Sequence, residues 1–181
     1  MPRVISGYAR GIKLDVFPSL NMRPTSECVK EALFDIIQFD IKGSTFLDLF
    51  SGTGQIAIEA ISRGASYVYA VENSFSSMKI IKKNVSVLRK LFAGEINLEI
   101  VFRDSFKFLN EFNEGVDILF VDAPFDMNIS CDMFSKFEKI TNNLIITETL
   151  YRDEPILESN LFYLSKRHKY GRVSLNVYIR K

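Results

Sequence analysis

The sequence predicts an open α/β fold, a mostly parallel sheet covered by helices on both faces and closed by an antiparallel two-strand tail. Three observations predict it. From Thr45 onward, short apolar runs alternate with stretches of helical periodicity, the pattern of a parallel sheet buried on both faces. Residues 161–181 then hold two strand-like runs with no room for a helix between them. The 181 residues, 47% hydrophobic and 25% charged, suit one domain able to bury a full core without metals or disulfide staples.

The elements follow in order. Residues 1–24 read as irregular or β-like, with Gly7, Gly11, Pro18 and Pro24 as breakers. Thr25 is placed as an N-cap, and Val29, Ala32, Leu33, Ile36 and Ile37 trace the apolar stripe of a helix. Phe46–Leu49 is a short strand. Gln55–Arg63 is a helix ended by Gly64, and Tyr67–Val71 is a strand. Met78, Ile81, Val85, Leu88 and Phe92 mark a longer helix whose other face is rich in lysine. Leu98–Phe102 is a strand, Ser105–Phe112 a helix, Asp117–Val121 a strand, 131–140 a helix and Leu144–Thr147 a strand. The tail pairs Leu161–Ser165 with Val173–Ile179 around Tyr170-Gly171.

Composition excludes several classes. No run of 18 apolar residues offers a membrane span, and the opening Met1-Pro2-Arg3-Val4 has no apolar signal region. Cys28 and Cys131 form no CxxC pair, so neither a metal site nor a disulfide framework is expected, and a reducing cytoplasm fits. The net charge of +1 hides an uneven distribution. Residues 1–30, 79–90 and 161–181 together carry +14, leaving −13 on the rest. Clustered Lys and Arg favour a polyanionic partner, although each segment alone reads equally well as a solvated face.

In open α/β sheets ligands bind at the carboxyl ends of the strands. Four ends here carry informative residues. Asp48, Ser51, Gly52, Thr53 and Gly54 lead from a strand into a helix, where glycines admit a ligand and the helix N-terminus offers N–H groups. Glu72, followed by Asn73, ends the next strand, where a carboxylate can accept both hydroxyls of a ribose. Asp104-Ser105 follows the third, where an acid can take an adenine amino hydrogen or simply cap a helix. The glycine turn alone also fits a dinucleotide site, so a nicotinamide enzyme stays open at this point.

The fourth end is Asp122-Ala123-Pro124-Phe125. It resembles the Asp/Asn-Pro-Pro-aromatic signature of amino-group methyltransferases that use S-adenosylmethionine. A carboxylate and a neighbouring backbone carbonyl can accept the two hydrogens of a planar exocyclic amine, and an aromatic ring can stack on an extruded base.

The whole chain is similar to the RsmD-like bacterial methyltransferases that modify guanine N2 in 16S ribosomal RNA. The resemblance rests on Arg3-Val4-Ile5-Ser6-Gly7 with Arg10-Gly11 and Lys13-Leu14, and on Arg23-Pro24-Thr25 with Val29-Lys30-Glu31 and Leu33-Phe34. It continues through Asp48–Gly54, Ile58-Glu59-Ala60, Ser62-Arg63-Gly64-Ala65 and Tyr170-Gly171. It implies a class I methyltransferase (Rossmann-like) fold with a seven-stranded sheet, S-adenosylmethionine as donor and a guanine of 16S rRNA or of the small ribosomal subunit particle as acceptor. It implies one domain over 1–181, in which 1–24 flanks the substrate and 45–181 is the catalytic core, acting as a cytoplasmic monomer. It makes Asp122, Ala123, Pro124 and Phe125 catalytic, gives the cofactor to Asp48, Ser51–Gly54, Glu72, Asn73, Asp104 and Ser105, and gives RNA contacts to Arg10, Lys13, Arg23 and Thr25.

Two positions depart from the family pattern. Ala123 stands where the family usually has a first proline, so the carbonyl survives but the fixed φ does not. Glu27 and Cys28 stand where the family pattern continues with Asp and then Arg, and Cys28 reads as a small first-turn helix residue. His168, in a basic turn, reads as solvated or near RNA. Other acceptors remain compatible with the motif, namely a DNA adenine or cytosine or a protein glutamine, as does a non-catalytic RNA-binding assembly factor.

Overall fold

The computed structural model describes residues 2–17, 27–92, 96–124, 127, 129–157 and 159–181. Among the described residues, five helices and seven strands run in the order α1 (Glu27–Ile36), β1 (Thr45–Asp48), α2 (Gln55–Ser62), β2 (Tyr67–Glu72), α3 (Phe75–Leu91), β3 (Leu98–Phe102), α4 (Ser105–Glu111), β4 (Val116–Val121), α5 (Cys131–Ile140), β5 (Thr141–Leu150), β6 (Phe162–Tyr170) and β7 (Val173–Arg180). The strands form one sheet in the order β3-β2-β1-β4-β5-β7-β6. The first five are parallel, and β7 pairs antiparallel with both β5 and β6. The expected seven-stranded, mostly parallel sheet with its antiparallel hairpin is the observed one.

The period-two geometry of a strand divides the core into two halves. Phe46, Ile118 and Phe120 pack with Leu33, Phe34, Ile58 and Ile81 on the side of α1, α2 and α3. Their chain neighbours Leu47, Leu119 and Val121 pack with Phe108, Phe134 and Phe137 on the side of α4 and α5. Both faces are covered, so the central strands are apolar almost without a break. Gly64 follows the C-cap Arg63 at φ 96°, as expected of a helix-ending glycine. Among the described residues no helix is long and apolar enough to cross a membrane.

Two strands are longer than the periodicity predicts by more than one residue. β5 starts at Thr141 through the polar Thr141-Asn142-Asn143, which pattern reading leaves out. β6 runs on past Ser165 to Tyr170 because a register shift between Leu164 and Lys166 carries the ladder through Lys166–Lys169. The N-cap expected at Thr25 lies outside the described residues.

The N-terminal strap folds back on itself, with Val4 N–H donating to the Ile12 carbonyl at 2.9 Å, and then packs on α1 and α2. Its anchor is a buried charge cluster. Glu59 accepts from the N–H groups of Ile5 (2.8 Å) and Ser6 (2.9 Å) and from Arg63 Nε (2.9 Å), and it pairs with Lys30 Nζ at 3.6 Å. Lys30 also donates to the Arg3 carbonyl at 2.6 Å. Burial pulls the Lys30 amine below its ordinary pKa, against the pull of Glu59. Gly7 closes the cluster at φ 82°, where an added Cβ would lie 1.9 Å from the Ser62 carbonyl oxygen. Three of the segments that carry the family resemblance, Arg3–Gly7, Val29–Glu31 and Ile58–Ala65, thus meet in one structural joint.

Candidate active site

The strand order turns back between β1 and β4, and the crevice above such a switch point is where open α/β sheets bind ligands. A cavity of about 590 Å³ opens there. Its wall contains ten of the residues picked from the sequence: Asp48, Ser51, Gly52, Thr53, Glu72, Asn73, Asp104, Asp122, Ala123 and Pro124.

The turn after β1 is knitted to both neighbouring strands. Leu49 N–H donates to the Phe120 carbonyl at 3.1 Å, and Ser51 N–H to the Val71 carbonyl at 2.9 Å. Gly52 and Gly54 take φ of 54° and 81°, and Gly54 then acts as the N-cap of α2 without any side-chain cap bond. The N-cap thus brings no side chain of its own to the first turn of α2, where the Ala57 N–H meets the buried Asp48 carboxyl. Glu72 is fixed by three backbone donors: Gly52 at 2.8 Å on Oε2, and Asn73 at 2.9 Å and Ser74 at 2.6 Å on Oε1. Asp104 Oδ1 caps α4 through the N–H groups of Phe106 (3.1 Å) and Lys107 (3.0 Å), so capping and lining the cavity are combined in one residue.

Asp48 is fully buried, and its carboxyl is pushed up to about 7. Desolvation is the main cause, and the negative charges of Asp122 and Glu72 add to it. The Ser51 hydroxyl, donating at 2.7 Å, and the Ala57 N–H pull the other way. Just past the end of β4, Ala123 is buried and the Pro124 carbonyl accepts from Met127 N–H at 2.8 Å.

Several expected residues lie elsewhere. Ser105 does not line the cavity; it is buried, and its hydroxyl donates to the Leu49 carbonyl at 2.7 Å, tying α4 to the end of β1. Gly54 also stands behind the wall, where an added Cβ would meet Ile81 Cγ1 at 2.4 Å. Arg10 and Lys13 are exposed on the strap, and neither lines the cavity. Arg10 follows Tyr8 and Ala9, whose N–H groups bond Ser62, at the end of α2 remote from the glycine turn. Arg23, Thr25 and Phe125 lie outside the described residues. Cys28 is an exposed first-turn residue of α1. His168 stacks on Tyr170 with centroids 6.5 Å apart, and partial burial and Lys166 lower its pKa.

Sequence reasoning missed Gln55 and Glu148. Gln55 lines the cavity with a buried Oε1 that has no hydrogen-bond partner among the described residues, an acceptor fitted to a ligand ammonium group. Glu148 lies within β5, one residue past the Leu144–Thr147 run that the sequence predicts and past the last residue paired with β4, so its carboxylate follows an apolar run as Glu72 does.

The family described as Conserved hypothetical protein 95 matches residues 2–179. The chain is similar to proteins named Ribosomal RNA small subunit methyltransferase D. It is 32% identical to that of Haemophilus influenzae, over 97% of this chain and 92% of the relative. It is 30% identical to that of Escherichia coli K12, over 99% and 90%. The solved structure of Escherichia coli yhhF superimposes with a TM-score of 0.85 at 27% identity, over 99% of this chain and 97% of that one. A more distant neighbour, solved with SAH bound, shares the fold alone, with a TM-score of 0.66 at 15% identity over 82% and 48%. With sequence, topology and the residues of the cavity in agreement, the chain belongs to the Conserved hypothetical protein 95 family, the family of the small-subunit rRNA methyltransferases D.

Proposed function

We propose that this methyltransferase transfers a methyl group from S-adenosylmethionine to the exocyclic 2-amino group of a guanine in 16S rRNA, presented free or in the small-subunit particle. The observation that carries the proposal is the sharing of one cavity wall by Asp122 and Ala123 with Gly52, Glu72 and Asp104. An amine-orienting pair and a nucleoside-binding set then face the same space.

The residues present fit the donor. Glu72 suits a ribose diol, Asp104 an adenine edge, and Gln55 at the glycine-capped N-terminus of α2 an amino-acid end. When bound, S-adenosylmethionine supplies an electrophilic methyl on a sulfonium. The protein's own task is alignment. Asp122 and the Ala123 carbonyl accept the two amine hydrogens, which favours a pyramidal nitrogen with its lone pair directed at the methyl. A carboxylate of ordinary pKa near 4 cannot deprotonate the amine beforehand, so Asp122 takes the proton only as the new C–N bond makes the nitrogen acidic. Orientation of this kind is worth on the order of 7 kcal/mol of barrier. Phe125 is assigned the stacking role.

A polyanionic acceptor is supported by the basic surface. Lys169 and Arg172 are exposed and flank Tyr170, which, like Val173, lines the cavity. Lys169 lies 4.1 Å from the Tyr151 ring centroid. Lys13, Arg23 and Thr25 are assigned further backbone contacts, with Arg10 at the remote end of α2.

The test is methyl transfer from labelled donor to small-subunit RNA and particles from a strain lacking this gene, with nucleosides resolved by mass spectrometry. New N2-methylguanosine is expected. Label in another nucleoside or in protein, or RNA binding without transfer, overturns the reading.

A further inference from the structure

The large cavity is not the only one at the end of β4. A second, of about 310 Å³, shares Ala123, Pro124, Met127 and Glu148 with it and extends toward Asn176 and Tyr178. Glu148 therefore stands where the two spaces meet.

Its place is fixed by the sheet. The parallel β4–β5 ladder ends on the pair Val121 and Thr147, and Asp122 and Glu148 are the next residues of the two chains. Adjacent strands lie about 4.8 Å apart, and register neighbours point to the same face. Both side chains line the large cavity. Glu148 is only 6% exposed. Burying a carboxylate is costly, yet this one lies in a wall common to two cavities beside the amine-orienting pair.

Base chemistry gives that carboxylate a task. In guanine the 2-amino group is flanked on one side by N1–H, a donor, and on the other by the bare N3. In adenine and cytosine the exocyclic amine is flanked instead by a ring nitrogen with a lone pair. A second carboxylate next to Asp122 matches the first arrangement and repels the other two. We propose that Glu148 selects guanine by accepting its N1–H while Asp122 and the Ala123 carbonyl hold the 2-amino group. This rests on the reading that guanine N2 is the acceptor. Glu148 reads the base edge, and Asp122 handles the reacting nitrogen.

The experiment uses 2-aminopurine, which keeps the 2-amino group but has a bare acceptor at N1. The guanine methylated by the wild-type protein is mapped first and then replaced by 2-aminopurine in reconstituted small-subunit RNA. The wild type is expected to favour guanine by about 100-fold in kcat/KM, because a site built to bond an N–H rejects an analogue lacking it. Glu148→Ala should lose about 100-fold on guanine and bring the two bases within about threefold, with S-adenosylhomocysteine binding held within about threefold. Glu148→Gln, nearly isosteric and with one acceptor oxygen, should fall between and serves if the alanine variant does not fold. A purely structural role would lower both rates and leave their ratio unchanged. That result, full activity of either variant on guanine, or a wild type indifferent to the analogue overturns the assignment of Glu148. A wild type that methylates no guanine overturns the underlying reading instead.

Discussion

The backbone N–H of Gly52 donates to Glu72 Oε2 at 2.8 Å, joining the turn after β1 to the end of β2 before any ligand enters. With the Asn73 and Ser74 N–H groups on the other oxygen, the carboxylate is held in place from three directions. A pre-positioned acceptor loses little freedom when it meets a ribose, which is how preorganisation strengthens binding.

Glu72→Ala should therefore weaken S-adenosylhomocysteine binding in titration calorimetry by about 10- to 100-fold, the equivalent of a charge-assisted hydrogen bond worth about 1.5–3 kcal/mol. Glu72→Gln should lose less. Unchanged affinity in the alanine variant would remove Glu72 from the donor site.

Asp48 ties stability to pH. Its carboxyl keeps a proton up to about 7 in the folded protein, whereas the ordinary value is 3.8. Between those limits the native state binds more protons than the unfolded chain, so this group's contribution to stability falls as pH rises, and it stays lost above 7. Asp48→Asn lacks that titration. From pH 5 to pH 8 the wild-type melting temperature should drop relative to that of the variant, by the equivalent of a few kcal/mol. Parallel curves would contradict the assignment.

The strap joint gives a stability prediction with a separate readout. Glu59→Ala strands Lys30 in an apolar setting and removes the acceptor of Ile5 and Ser6 N–H, so it should cost about 3–5 kcal/mol in denaturant unfolding. Gly7→Ala should cost at least about 1 kcal/mol, since both the positive φ and the Ser62 carbonyl oppose a side chain. At temperatures where these variants stay folded, donor affinity should remain that of the wild type, because the joint lies outside the cavity wall.

The basic hairpin is tested by salt. Lys169→Ala and Arg172→Ala should each weaken binding to small-subunit RNA and reduce the slope of log K against log salt by about 1. Arg10→Ala, at the remote end of α2, should change it less. The reverse ranking would move the RNA path to the strap.

What was legible in the sequence follows from which forces leave a pattern. β1 and β4 were legible because burial on both faces demands unbroken apolar runs, β2 and β3 because β-branched and aromatic residues fill their half-buried runs, and α2 because Gly64 ends it at positive φ. The first strand ends showed the site because Asp48, Glu72 and Asp122 interrupt apolar runs with charge. The polar start of β5 and the charged middle of β6 left no such pattern, since edge and hairpin pairing is carried by the backbone. Lys30 and Glu59 read as surface charges on helix stripes, and only the tertiary contact with the strap shows that both are buried. Ser105 sits behind the cavity wall rather than in it because a hydroxyl after a strand suits a neighbouring carbonyl as well as a ligand.

The most direct test of the central claim is single-turnover methyl transfer by Asp122→Ala with saturating labelled donor and small-subunit RNA. Loss of the group that orients the amine should lower the rate by about 10³-fold or more while S-adenosylhomocysteine affinity stays within about threefold of wild type. An Asp122→Ala protein that transfers the methyl group at the wild-type rate would contradict it.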